Sequence, residues 1–215
     1  GAAILSCAHS PPENIRNSCD IFNEKSGWYS DAIDSYEKWG VPVHVQLAII
    51  YQESRFVHDA KPPRKKLLWV TPWTRMSSAY GYGQIKDSTW DWYLKSTGNR
   101  WADRDEFEDV VDFIGWYGSI SHRTLGISKW DAYNQYLAYH EGHGGYKRKT
   151  YKQKPWLIGW QLLIMAVLWL KAHRKNLSIR WALMFFTLPA RAIWMSSKPG
   201  FRPCLLRKRS SPARG

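Results

Sequence analysis

The chain has 215 residues, which is enough for one domain with a well-buried core and too few for two such domains. Its formal net charge of +13 would be typical of a protein that binds nucleic acid or a membrane surface if the charge were spread evenly. Instead, residues 1–141 contain all 18 acidic side chains and 15 Lys or Arg, whereas residues 142–215 contain 16 Lys or Arg and no Asp or Glu. The body of the chain is slightly acidic, and we predict no nucleic-acid partner.

The three cysteines, Cys7, Cys19 and Cys204, are too few for a disulfide framework, and their spacing does not indicate a metal site. We therefore expect sulfur to contribute nothing to the fold. The small and apolar residues before Cys7 resemble the end of a bacterial lipoprotein signal, in which case Cys7 would carry the lipid. A signal-peptide remnant or an ordinary apolar N-terminus explains them equally well. A cleaved leader of either kind implies export.

Helices are predicted for the first part of the chain. Residues 1–18 are expected to form the N-terminus and a tether, with the folded domain beginning near Cys19. A short helix over residues 31–39 is predicted to stop at Gly40. A second helix is predicted over residues 42–55, because a proline suits the first turn of a helix.

The segment at residues 61–75 contains three prolines and five basic side chains, interleaved with leucine and tryptophan. This composition predicts a loop or a small hairpin rather than a helix. Such a segment could contact an anionic polymer or a lipid headgroup surface, or it could be an inert solvated loop.

Further helices are predicted from capping residues and apolar spacing. Asp87 is expected to cap a helix that is stopped by Gly98. A longer helix is predicted to open at Asp103 or Asp105 and to end before Gly126, with apolar residues at helical spacing along it.

A last helix is predicted over residues 129–140, because Ser128 and Asp131 have the spacing of a capping box. Three glycines follow it, at positions where they would break a helix. No segment alternates apolar and polar residues over the length of a strand. The sequence therefore predicts a mainly α fold with a possible small hairpin.

One carboxylate stands out on the helix over residues 42–55. At helical spacings of three and four, Glu53 is flanked only by apolar residues, namely Ile49, Ile50, Phe56 and Val57. Burial on this face favours the protonated carboxyl group and raises its pKa, as a general acid requires near neutral pH. A glutamate that merely hydrogen-bonds the backbone at a helix end explains the pattern equally well.

Three short motifs, in this order, resemble those of soluble-type lytic transglycosylases. They lie at residues 52–56, 78–85 and 138–142. The first contains that family's Glu-Ser pair, and the second has Tyr82 and Gly83 in place of the Leu and Met of Gly-Leu-Met-Gln. The third has His140 in place of the Asn of Ala-Tyr-Asn-x-Gly. The resemblance covers roughly residues 19–157.

The resemblance implies a lysozyme-like domain over residues 19–158 that binds peptidoglycan glycan strands. It implies cleavage of the β-1,4 bond between N-acetylmuramic acid and N-acetylglucosamine without water as the acceptor. Glu53 would protonate the glycosidic oxygen and then act as base on the muramic C6 hydroxyl, which closes onto C1 and leaves a 1,6-anhydro end. The substrate's own acetamido group replaces a second carboxylate. We expect no metal and no cofactor.

The resemblance also implies roles for residues around Glu53. Ser54 would orient Glu53 or contact the substrate, and Gln84 would hydrogen-bond a sugar. Tyr139 would position the carboxyl group and a nearby acetamido group. Tyr82 and His140 are also expected to contact the substrate. The role of His140 is left open, because it replaces the Asn of the family motif.

A zinc site is an alternative interpretation of His140, Glu141 and His143. The spacing is one residue shorter than in His-Glu-x-x-His, and the flanking glycines break the helix that such a site needs. A loop that contacts sugar is favoured instead. Several aromatic rings could also contact sugars, although at least half of them are expected to pack in the core; these are Tyr80, Tyr82, Trp90, Trp92 and Tyr93.

The C-terminal part matches nothing expected of the family. Residues 157–170 form an apolar run of 14 residues, shorter than the roughly 20 that span a bilayer. Residues 159–215 are predicted to be a frameshifted or otherwise aberrant basic extension, largely disordered or loosely helical, that is dispensable for catalysis. We expect a monomeric periplasmic protein, anchored at the outer membrane if Cys7 is lipidated. A goose-type-lysozyme-like hydrolase and a non-catalytic wall-binding module are the alternatives.

Overall fold

The computed structural model describes residues 10–62, 64–67, 71–75 and 77–157, so the predictions for Cys7 and for residues 159–215 lie outside the described residues. Helices dominate, as predicted. The elements are α1 (Ser18–Glu24), α2 (Trp28–Trp39), α3 (Val43–Glu53), β1 (Arg64–Leu67), β2 (Thr71–Arg75), α4 (Asp87–Thr97), α5 (Phe107–Leu125) and α6 (Ala132–Lys147). A 3-10 helix, Thr150–Gln153, follows. None of the described helices has the length and apolar character that crossing a bilayer requires.

The hairpin predicted in the basic segment is present. Strands β1 and β2 pair in antiparallel fashion, with Arg64 opposite Arg75 and Leu67 opposite Thr71. The register shifts between Arg64 and Lys66, which marks an irregularity in the ladder.

The predicted helix stops are confirmed. Gly40, Gly98 and Gly126 each follow the last residue of a helix in the left-handed conformation, with φ of 74°, 75° and 70°. Each donates its backbone N–H to a carbonyl four residues earlier, which satisfies one of the helix's terminal acceptors. Glycine adopts this conformation without a steric penalty, so these ends could be read directly from the sequence.

The predicted starts are less accurate. Asp87 is the first residue of α4 rather than its cap, and its carboxylate pairs with Arg104 at 2.7 Å. Helix α5 begins at Phe107, later than predicted, because Asp105 instead accepts a hydrogen bond of 2.8 Å from the Tyr80 hydroxyl. Helix α6 begins at Ala132 rather than at residue 129, and its cap is Asp131 rather than Ser128, because the Asp131 carboxylate accepts from the Asn134 N–H at 3.0 Å.

Helix α1 was not predicted, and it carries a disulfide-bonded cysteine, Cys19. The expectation that sulfur contributes nothing to the fold was therefore wrong. Three cysteines cannot build a framework, but two suffice for one bond. A single disulfide typically adds about 2–4 kcal/mol of stability by constraining the unfolded chain.

Helix α5 is the centre of the core and packs most extensively on α2. The two helices can approach closely because Gly115 has no side chain. A Cβ atom at this position would lie 2.5 Å from the Ser35 hydroxyl and 2.6 Å from the Trp39 ring. Asp112 on α5 reinforces the contact by accepting from Trp39 Nε1 at 2.7 Å and from the Tyr93 hydroxyl of α4 at 2.7 Å. This packing fixes the frame on which α3 and α6 meet.

Candidate active site

Glu53 is the last residue of α3, and the chain turns sharply after it. Arg55 and Phe56 both adopt positive φ, 55° and 64°, which is unfavourable for residues with a side chain. The turn is held because Phe56 is buried and stacks on Trp28 with ring centroids 6.0 Å apart. Glu53 is thereby fixed at a helix end that core packing immobilises.

The carboxyl group of Glu53 is buried, and no described residue hydrogen-bonds its Oε1 atom. Burial raises the pKa of Glu53 to about 8, although a hydrogen bond from the Tyr136 hydroxyl acts in the opposite direction. The direction predicted from its apolar neighbours is confirmed. At neutral pH the group therefore holds a proton, and the buried Oε1 atom has no competing hydrogen bond from the described residues.

Tyr136 is the residue of this site that the motifs did not indicate. It lies on α6, is buried, and hydrogen-bonds Glu53 through its side chain. The signal available in the sequence was its position three residues before Tyr139, on the same face of the predicted helix. Its hydroxyl stabilises the carboxylate form of Glu53 relative to the acid.

Tyr139 locks α6 to the second motif. Its hydroxyl donates to the Gly83 carbonyl oxygen at 2.7 Å, and its ring stacks edge-on against Tyr117. A Cβ atom on Gly83 would lie 2.7 Å from this hydroxyl and 3.0 Å from Ile85, so the position has room only for glycine. Burial raises the pKa of Tyr139, and the negative charge of an ionised Glu53 raises it further.

The loop that carries the second motif is closed by two backbone hydrogen bonds between Tyr80 and Ile85, of 3.2 and 3.1 Å. Gln84 turns inward, and its Nε2 atom donates to the Ala60 carbonyl at 2.7 Å and to the Gly81 carbonyl at 3.1 Å. The side chain ties this loop to the segment after α3. Its contact with a sugar stays a prediction.

Tyr82 is only 2% exposed and lies between Trp28 and Phe107, with ring centroids 5.7 and 5.9 Å away. Its position favours core packing, and its contact with substrate stays a prediction. Trp90 and Tyr93 are also buried, which confirms that at least half of the aromatic rings near this motif pack in the core.

Ser54 is buried at the C-terminus of α3. Its hydroxyl lies 3.4 Å from the Ile50 carbonyl oxygen, the acceptor to which its backbone N–H also donates at 3.0 Å. The side chain thus runs along the end of the helix. Both roles considered for it, orientation of Glu53 and contact with substrate, stay predictions.

Helix α6 is interrupted at Gly142, where φ is 71° and ψ is 159°, and then continues to Lys147. The break expected at the glycines is therefore present, but it is a kink rather than an end. His140 Nδ1 lies 2.9 Å from Glu141, whereas His143 Nε2 lies 2.9 Å from the Ser121 hydroxyl. Within the described ranges, no group of three His, Cys, Asp or Glu side chains could hold a metal ion.

Comparison with known proteins gives one match. No curated protein and no solved structure is similar to this chain. A family model described as transglycosylase SLT domain matches residues 2–164, well over half of the chain. Proteins with this domain bind peptidoglycan and carry out lytic-transglycosylase-type chemistry on it, outside the cytoplasm. A mainly helical fold with a buried, protonated carboxyl group agrees with that match, and the chain belongs to the transglycosylase SLT domain family of peptidoglycan-lytic enzymes.

Proposed function

We propose that the enzyme cleaves the β-1,4 bond between N-acetylmuramic acid and N-acetylglucosamine and forms 1,6-anhydromuramic ends, with Glu53 as general acid and then base. The observation that carries this proposal is the buried Glu53 carboxyl group, which is protonated at neutral pH and has one oxygen that no residue in the described part of the chain bonds. A group in this state can donate a proton to a glycosidic oxygen that reaches it.

In the first step, Glu53 gives its proton to the glycosidic oxygen, and the bond between that oxygen and muramic C1 breaks. The acetamido oxygen of the same sugar stabilises the positive charge at C1. In the second step, the Glu53 carboxylate removes the proton of the C6 hydroxyl, whose oxygen bonds to C1. The anhydro ring forms, the acid is regenerated and no water is consumed.

The tyrosines of α6 support both steps. Between the first and the second step Glu53 is a carboxylate, and the Tyr136 hydroxyl stabilises that form by donating to it. Tyr139 hydrogen-bonds the Gly83 carbonyl and so holds the loop of the second motif against α6. Glu141 is unsuited to serve as a nucleophile, because His140, Thr150 and Lys154 all hydrogen-bond its carboxylate.

Two alternatives use the same scaffold. A hydrolase of the goose-lysozyme type would use the same protonated glutamate, and a wall-binding module would not need it. Purified sacculi would be digested by wild type and by Glu53→Gln, and the released muropeptides identified by mass spectrometry. The products distinguish the transglycosylase, the hydrolase and the binding module.

We expect wild type to release anhydro products, lighter by one water than reducing ends, and Glu53→Gln to lose activity by roughly a hundredfold or more. Reducing ends would establish the hydrolase. Equal product from both proteins would exclude Glu53 as the catalyst and would favour another residue or a contaminating enzyme. If neither protein released any product, the wall-binding module would be the remaining alternative.

We further propose a catalytic domain at residues 19–158 and a dispensable extension at residues 159–215. Leu157 is buried, so the truncated chain must retain it. A chain ending at residue 158 is expected to keep the circular dichroism spectrum and the lytic activity of the full chain. A folded but wholly inactive truncation would contradict this boundary.

An exported protein is supported by the disulfide at Cys19, since such bonds persist in oxidising compartments. We propose a monomer with a periplasmic location. A lipid on Cys7 would anchor it at the outer membrane only if Cys19 pairs with Cys204, because a lipidated sulfur cannot form a disulfide. Intact-mass measurement of the membrane-extracted protein, before and after thiol reduction, tests this. An unlipidated mass would contradict the anchor.

A further inference from the structure

Glu141 is a buried carboxylate that the reaction does not use. Its side chain is 4% exposed, and three donors surround it. His140 Nδ1 lies 2.9 Å and Lys154 Nζ 2.7 Å from its Oε1 atom, while the Thr150 hydroxyl bonds Oε2. Because Thr150 and Lys154 follow α6, this carboxylate fastens the segment at residues 150–157 to the kink of that helix.

The attachment is ionic at neutral pH. Burial raises the pKa of Glu141, but the hydrogen bonds from Lys154, Thr150 and His140 outweigh it and lower the pKa to about 2. Lys154 is 39% exposed, so the ion pair is only partly buried, and the segment is held by the three charge-assisted hydrogen bonds to Glu141 together.

The fastened segment carries an exposed tryptophan. Trp156 is 58% exposed and meets the His140 ring edge-on, with centroids 5.7 Å apart. On its other side, the His140 ring lies 5.9 Å from the ring of Tyr136, which hydrogen-bonds Glu53. A continuous row of side chains thus leads from the catalytic carboxyl group to an indole ring at the surface.

We propose that Trp156 is a sugar-stacking subsite for the glycan strand, next to the position cleaved at Glu53, and that Glu141 holds it in place. This inference rests on the proposed function, since it takes its ligand from it. The axial C–H groups of a pyranose form an apolar face that packs on an indole ring, and the strand extends by more than one sugar from the cleaved bond.

Charge around the subsite suits the same ligand. Residues 142–157 contain five Lys or Arg and no Asp or Glu. Lys147, Arg148, Lys149 and Lys152 are exposed there. Peptidoglycan stem peptides carry carboxylates, so the cationic segment that precedes Trp156 in the chain attracts the substituted strand.

A matched control exists in Trp130. It is 63% exposed, similar to Trp156, but it contacts Tyr36 and His44 instead, at ring-centroid distances of 6.4 and 5.8 Å. Binding of β-1,4-linked N-acetylglucosamine tetrasaccharide, measured by titration calorimetry, would be compared among wild type, Trp156→Ala, Trp156→Leu and Trp130→Ala.

We expect both Trp156 variants to raise Kd roughly tenfold, because neither side chain has an aromatic face, and Trp130→Ala to leave Kd unchanged. Glu141→Gln is expected to raise Kd by a smaller factor. Trp156→Leu retains apolar bulk and guards against unfolding of the alanine variant, which a thermal melt would reveal.

A Trp156→Leu variant with the wild-type Kd, an equal loss in Trp130→Ala, or a wild type that does not bind the tetrasaccharide would each overturn the subsite. Failure of the proposed function has a different signature, since wild type would then release reducing ends while Trp156 variants still lost affinity. Anhydro products combined with an unchanged Kd would leave the reaction intact and remove only the subsite.

Discussion

The buried Glu53 should make the stability of the protein depend on pH in a way that Glu53→Gln abolishes. Its pKa is about 8 in the folded state against an ordinary value of 4.5, so the folded protein keeps a proton that the unfolded chain has lost. Wild-type stability therefore falls as pH rises through this interval, by about 1.4 kcal/mol per pH unit. Glutamine at this position does not titrate.

The free energy of unfolding of Glu53→Gln minus that of wild type should therefore grow by about 2.5 kcal/mol between pH 5 and pH 7. The growth should stop above pH 8, where the folded state also ionises. Urea unfolding followed by circular dichroism at each pH measures both free energies. Glu37→Gln removes an exposed carboxylate of α2 and controls for the loss of one negative charge. Two stability curves that stay parallel from pH 5 to pH 8 would refute the raised pKa and the acid role argued from it.

The other predictions concern the supports of the site. Tyr136→Phe removes the donor that lowers the pKa of Glu53, so the alkaline limit of lytic activity should move up by about one pH unit; a lower limit would contradict the hydrogen bond. Gly83→Ala places a methyl group 2.7 Å from the Tyr139 hydroxyl and should lower the free energy of unfolding in urea by about 1–3 kcal/mol. An unchanged free energy would show that the loop at Gly83 can move away from Tyr139 at little cost. Glu141→Gln should lower stability by about 1–2 kcal/mol at pH 7, because the folded-state pKa is about 2 against 4.5 while the half-exposed Lys154 partner is screened by solvent, and this deficit should shrink as pH falls through that interval. A deficit that is independent of pH would instead indicate lost packing.

Local patterns were sufficient for most of the helices. Gly40, Gly98 and Gly126 mark helix ends because left-handed backbone is a property of one residue and its neighbours. Helix starts were less accurate, since Asp87 and Asp105 bond to Arg104 and Tyr80, which lie far along the chain. A capping residue has several possible partners, and tertiary structure selects among them.

The sequence by itself determined that Ile49 and Ile50 share a helix face with Glu53, because helical spacing fixes which residues lie together. Phe56 and Val57 follow the end of α3, so the spacing argument did not apply to them, and the tertiary structure decided their positions. The sequence also determined the order of the three motifs. Only the tertiary structure decided that Tyr136 donates to Glu53, that Gln84 turns inward to Ala60, and that Trp156 reaches His140. These contacts depend on how α3, α6 and the segment after α6 are rotated and placed against one another, and that arrangement is set by the packing of the whole core rather than by any one segment.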